Sequence, residues 1–176
     1  MKRPHHLPHK YEVVVPVGND RPGLWEVGHN WKDRIPLIVP FEYIGDTQVL
    51  VDAVEFAASS TSTISATFGE LVHFDVNEHH VARMVNGGQA ELMALHTMLL
   101  GSLDQVNRTH EQEDPTDTLA IRFSNGRALG EGYRPHVLRP SEHGYEFEKS
   151  LGLVVLMRHI DSKAHMQPLK VFELAE

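Results

Sequence analysis

Leu92, Leu95, Leu99, Leu103 and Val106 fall on one stripe of the segment QAELMALHTMLLGSLDQV. Apolar residues at spacings of three and four predict an amphipathic helix with one face to bury. Just upstream the period changes. In TISATFGELVHFDV the apolar positions alternate through Ile64, Ala66 and Phe68, and again through Val72, Phe74 and Val76, as in half-buried strands. A one-faced helix beside one-faced strands satisfies both by packing on a sheet, and this places the chain in the α+β class with antiparallel sheets.

The remaining text fills in the order. YEVVVPVG, residues 11 to 18, reads as a strand closed by a turn at Gly18-Asn19-Asp20, and the irregular RPGLWEVGHNWKDR after it reads as loop. IPLIVPFEYIG, 35 to 45, is an apolar run with prolines at both ends, which predicts an edge strand or an interrupted one. DTQVLVDAVEFAASS predicts a helix of about three turns, capped by Asp46 or Thr47, with Val49, Ala53 and Phe56 on its apolar side. HHVARMVNGG is a strand stopped by Gly87-Gly88, NRTHEQEDPTD is a polar surface loop, and Asn125-Gly126 marks a turn between extended pieces. LGLVVLMRHI and LKVFEL are two further strands, with a turn around Asp161 to Gln167 between them. Two half-units result, each an extended segment, a helix and returning strands, with no repeat of residue identity.

Composition narrows the chemistry. With 176 residues the chain is long enough for one domain, 1–176, with residues 1–10 as a flexible tail. No apolar run is long enough to span a bilayer and MKRPHHLPHK has no apolar stretch behind it, so a soluble, cytoplasmic protein without membrane contact is expected. The absence of cysteine removes disulfides, thiolate metal sites and cysteine nucleophiles. A net charge of -8 argues against duplex DNA as a partner, whereas a local group of arginines can still hold a small phosphate ligand. Neither a phosphate loop nor a dinucleotide fingerprint nor a serine elbow occurs, so no cofactor is implied. His79 and His80 beside Glu78, and HEQED at 110 to 114, carry metal-ligand residue types. Neighbours on a strand point to opposite faces, so no metal site is assigned.

GYRPHVLRP, 132 to 140, sets His136 among Arg134, Arg139 and two prolines. Together with DRIPLIVPFEYIGD, ISATFGELVHFDVNEHHVARMV and QAELMALHTMLLGSL, and with the order of the elements, it resembles the 2H phosphoesterase superfamily over residues 11 to 174. That superfamily includes the 2′-5′ RNA ligases and the RNA 2′,3′-cyclic phosphodiesterases. The resemblance implies a bilobal fold, two antiparallel sheets forming a central cleft with helices packed outside. It also implies two His-x-Thr/Ser motifs, one per lobe: one histidine accepts a proton, the other donates one, and the hydroxyls hold the phosphate.

This sequence departs from that pattern. Aligned on its Pro-Phe end, DRIPLIVPF puts Arg34 at the first histidine and Pro36 at the first threonine; held on DRIPL, it lacks the triplet altogether. At the second motif His136 is matched, but Leu138 stands at the hydroxyl position. Neither arginine nor proline moves a proton at neutral pH. The resemblance implies His136 as the catalytic residue, Arg34, Arg134 and Arg139 as a phosphate pocket, and Tyr43 and Tyr133 as platforms for a base. His29, His73 and His96 are the other histidines near the lobe elements. Three readings stay open: a metal-independent phosphodiesterase for 2′,3′-cyclic or 2′-5′-linked nucleotides or RNA, a module that binds such a nucleotide or RNA end intact, and an assembly protein that reuses the fold.

Overall fold

A computed structural model of the chain describes residues 9–17, 34–73, 81–113, 121–123, 135–138, 147–159 and 166–176. The elements are β1 (His9–Pro16), β2 (Arg34–Tyr43), α1 (Thr47–Ser59), β3 (Ile64–His73), β4 (Val81–Gly87), α2 (Gln89–Glu113), β5 (Ile121–Phe123), β6 (His136–Leu138), β7 (Phe147–Leu151), β8 (Leu153–His159) and β9 (Met166–Glu173). β1 takes in His9 and Lys10, two of the ten residues expected to form a tail; residues 1–8 lie outside the description.

All strand pairs of the named elements are antiparallel. One sheet holds β5, β2, β1, β8 and β9; the other holds β6, β4, β3 and β7. They join where β2 meets β6, through the single register pair Arg34 with Leu138. The ladder is therefore continuous, and the architecture is the expected bilobal α+β one. The chain crosses between the sheets at Gly152, which separates β7 from β8. A second tie lies at Ala175, whose N–H donates to the Thr61 carbonyl and whose carbonyl accepts from Thr63 N–H, both at 2.8 Å.

Both helices lie on the core side, against each other and against the sheets. Leu92, Leu95, Leu99 and Leu103 of α2 are buried, so the predicted stripe is the packed one. Each such leucine contributes about 1.5–3 kcal/mol relative to an exposed one. α1 begins where expected, with Asp46 Oδ1 accepting from Gln48 N–H at 2.9 Å. Its packed face is different. Of the three residues expected there Ala53 is buried, together with Leu50, Val51, Val54, Ala57 and Ala58, whereas Val49 and Phe56 are 41% and 62% exposed. Apolar residues surround this helix on several sides, and the small Ala57 and Ala58 allow closer packing than Phe56 would.

Three further expectations are corrected. β2 is an interior strand, paired with β1 on one side and with β5 and β6 on the other. Pro36 and Pro40 lie between its described pairs with β6, at Arg34, and with β5, at Phe41 to Tyr43. It is also interrupted as expected, with register shifts against β1 on both sides of Val13. α2 continues through residues 107 to 113, where a loop was expected. The first glycine or proline after Gly101 is Pro115, and the Arg108–Asp104 ion pair at 2.9 Å adds local support one turn apart. Strand β7 was not foreseen; its exposed positions alternate with half-buried ones, so little of it reads as apolar. The turns expected at residues 18–20 and 125–126 lie outside the described residues, as does 161–165 of the turn expected around Asp161 to Gln167, while Met166 and Gln167 already belong to β9. Among the described residues no helix is long and apolar enough to cross a membrane.

The Gly87-Gly88 break has a steric cause. Gly88 has φ 80°, and a Cβ built there would sit 2.7 Å from the Ser65 carbonyl oxygen. Gly88→Ala is expected to destabilise the fold by about 1–3 kcal/mol, from a left-handed backbone plus a clash with main chain. Gly101→Ala, in mid-helix with nothing within 4 Å of its Cβ, is expected to stabilise by about 0.5–1 kcal/mol. Urea unfolding midpoints of the two variants check both signs.

Candidate functional site

The strands carrying the two degenerate motifs are neighbours. Arg34 opens β2 and is paired across the seam with Leu138 of β6, while His136, two residues back, is paired with Met84 of β4. Val137 between them is buried in the main core. The description of His136 and Leu138 covers their backbone only.

Alternation on β1 and β8 sorts the rest. Val13 and Val15 belong to the core under the helices, as do Val154 and Leu156. Val14, Val155 and Met157 point to the opposite face and form a small second cluster with Met166. Glu12 shares that opposite face. It is 3% exposed although it sits in a run of valines, and a buried carboxylate without compensation would cost several kcal/mol.

Compensation comes from two strands. Arg34 Nε lies 3.5 Å from Glu12 Oε1, and His159 Nε2, at the end of β8, lies 3.6 Å from Oε2. Both are ion-pair separations, longer than the roughly 2.7–2.9 Å of a short charge-assisted hydrogen bond. His159 adds positive charge only when protonated. Its Nε2 has no hydrogen-bond partner among the described residues. One carboxylate thus gathers a guanidinium and an imidazole onto the face that bears the β2–β6 seam. Sequence reasoning missed Glu12 and His159. The available signal was a lone acid inside YEVVVPVG, which alternation alone turns away from the valine core.

The other expected site residues are placed as follows. Tyr43 is 4% exposed, its ring packed edge-on to Tyr11 in the core and its hydroxyl donating to the Asp46 carbonyl at 3.1 Å. Burial, with Asp46 as a second cause, holds its phenol above the usual range. His96 faces the core from α2, 2% exposed, with Nδ1 2.6 Å from the Leu37 carbonyl oxygen. Leu37 lies on the helix side of β2, so His96 and the Glu12 group are on opposite sides of the sheet. Of His73 the backbone is described, in β3. Tyr133, Arg134, Arg139, His29, Glu78, His79, His80 and Asp114 lie outside the described residues, as do the side chains of 110 to 113.

A buried arginine that sequence reasoning passed over, Arg83 of β4, is 1% exposed. Nη1 donates to the Gly69 carbonyl at 2.6 Å, and the guanidinium lies 5.5 Å from the centre of the Phe147 ring. It braces β3, β4 and β7 on the core side of the sheet.

No protein-family model and no curated protein matches the sequence. Solved structures do match. Escherichia coli LigT complexed with 3′-AMP superposes with a TM-score of 0.61 at 12% identity, covering 97% of this chain and 100% of that one. A chain described as a phosphoesterase gives the same four values. TT0787 of Thermus thermophilus gives a TM-score of 0.63 at 11% identity, covering 94% and 97%. The chain has the LigT fold. The resemblance to the 2H phosphoesterases drawn from sequence is therefore met in the fold. At this identity the likeness is one of fold, and the residues have to be argued from this chain.

His96 yields a pH test. Desolvation lowers its pKa, and the bond to the Leu37 carbonyl opposes that shift only in part. Below about pH 6.5 the unfolded chain then binds more protons than the folded one, so stability is lost as pH falls through that range. His96→Asn keeps an N–H for Leu37 and removes the titration. Its urea midpoint is expected to fall less between pH 7.5 and 5.5 than that of the natural sequence.

Proposed function

We propose that the chain binds a nucleotide or RNA end carrying a 2′,3′-cyclic or 2′-5′-linked phosphodiester over the β2–β6 seam, and retains it rather than turning it over. The observation that carries this reading is the pairing of Arg34 with Leu138, which brings the two motif-bearing segments together in the LigT fold. LigT itself has been solved with 3′-AMP, NADP+, phosphate and ATP, all of which carry phosphate.

In this reading Arg34, with Arg134 and Arg139, supplies cationic contacts to the phosphate, because a guanidinium presents a planar fork to its oxygens. Tyr133 stacks on the base, and His136 faces the phosphate as the one titratable group left from the two motifs. Tyr43, inside the core, takes no part. Retention is favoured over hydrolysis because Arg34 and Pro36 stand at the first motif. Losing one of an acid–base pair removes about 10² to 10⁴ in rate.

Incubation with a panel of 2′,3′-cyclic and 2′-5′-linked nucleotides tests this. Chromatography is expected to return the compounds intact, and calorimetry to show binding that Arg34→Ala weakens about tenfold or more. Product that forms with the natural sequence and not with His136→Ala would replace retention by catalysis. An absence of both binding and cleavage would end the reading.

A further inference from the structure

Helix α1 keeps part of its apolar surface in solvent. Among the described residues the exposed large hydrophobic side chains are Ile44, Val49, Phe56 and Leu169, and the first three fall on α1 or just before it. Single exposed apolar residues are ordinary on a protein surface. Here a phenylalanine 62% exposed shares one side of a helix with a valine 41% exposed. We infer that the outer face of α1 docks a basic, amphipathic helix of a partner protein.

The spacing comes first. Val49 and Phe56 are seven residues apart, so they stand on the same side of α1, roughly 10 Å from each other along its axis. Asp52 is three residues after Val49 and four before Phe56, which makes it a surface neighbour of both. Glu55 follows one turn after Asp52. Both acids are exposed, and Thr47–Ser59 contains no lysine or arginine. Asp52 Oδ1 accepts from the neutral Gln48 amide at 2.8 Å, a contact that leaves its charge in place. Two apolar anchors are thus bordered by a purely acidic ridge.

The elements packed against α1 do not reverse that sign. β9 carries one exposed base and one exposed acid, Lys170 and Glu173. α2 has more acids than bases along its length. β8 has Arg158, which is engaged with His9.

Charge then chooses the occupant. A second copy docked about a twofold axis would set the same acids against each other, on a chain of net charge -8. A nucleic acid or an anionic bilayer meets the same repulsion. A helix with lysines or arginines beside apolar residues at matching intervals covers Val49 and Phe56 and sets cations against Asp52 and Glu55. α1 packs on the core side of the sheet, whereas Val14, Val155 and the Glu12 group mark the other side. The docking face is therefore separate from the seam, and the inference stands or falls independently of the proposed function.

A displayed library of randomised helical peptides, panned on the full chain and counter-selected on Phe56→Ser, tests it. Phe56 is mostly exposed, so the variant is expected to keep the urea midpoint of the natural sequence; Val49→Ser serves the same arm should it not fold. Recovered peptides are expected to carry lysine or arginine next to apolar residues spaced three, four or seven apart. By calorimetry a synthesised one is expected to bind Phe56→Ser about tenfold more weakly or worse. Against the double variant Asp52→Asn, Glu55→Gln it is expected to lose about fivefold at low salt, and its affinity for the natural sequence to fall as salt rises. Recovery of no peptide, of peptides without basic residues, or of peptides that bind the variants as tightly as the natural sequence overturns the inference. So does a dimer in sedimentation velocity that Phe56→Ser abolishes, which would give the face to a second copy. Binding to phosphatidylserine vesicles that Phe56→Ser abolishes would give it to a membrane and overturn the inference equally.

Discussion

Arg34 paired against Leu138 is the point at which two antiparallel sheets become one ladder. The face away from the helices carries the Glu12 group, itself largely buried. β6 is only three residues long and spends them on β4 on one side and on this single pair on the other. Because the join is narrow, the segment following residue 33 and the segment following residue 135 are neighbours although about a hundred residues separate them. The Gly152 crossing and the hydrogen bonds of Ala175 to Thr61 and Thr63 hold the same two sheets from other directions. The seam therefore does not have to carry their union alone.

On that face the electrostatics differ from those of an isolated histidine site. A glutamate buried in a valine strand is tolerated because an arginine and a histidine approach its two oxygens from the strands on either side. Its neighbours along the sheet are aliphatic, Val14, Val155 and Met157, all fully buried. Such surroundings leave less water to screen the three charged or chargeable groups, so what happens at one oxygen is felt at the other.

Elements whose hydrophobic period is local and unambiguous were legible in the sequence. The leucine stripe of α2 and the alternation of Ile64, Ala66 and Phe68 in β3 are buried as read, and LGLVVLMRHI forms the strand expected of it; the side chains of Val72, Phe74 and Val76 lie outside the description. Where the deciding contact is distant, the text was silent or misleading. Nothing near residue 36 tells that two short strands, β5 and β6, divide one side of β2 between them. Val49 and Phe56 have helical spacing with Ala53, yet the buried face takes Ala53 alone of the three, beside Leu50, Val51, Val54, Ala57 and Ala58. The junction of the two motif segments was legible through a family resemblance, while Glu12 and His159 were not. Their partnership is made by strand pairings between β1 and β8, more than 140 residues apart in the chain, and no short motif records it.

The ladder ends on β7 and on β9. β7 alternates Glu148 and Ser150 outward with half-buried residues between them, and β9 carries Pro168 and Lys170. An outermost strand studded with charge and broken by an imino acid is a poor template for another backbone. Recognition by donated strands, and the stacking of copies edge to edge into fibres, are both discouraged at these borders.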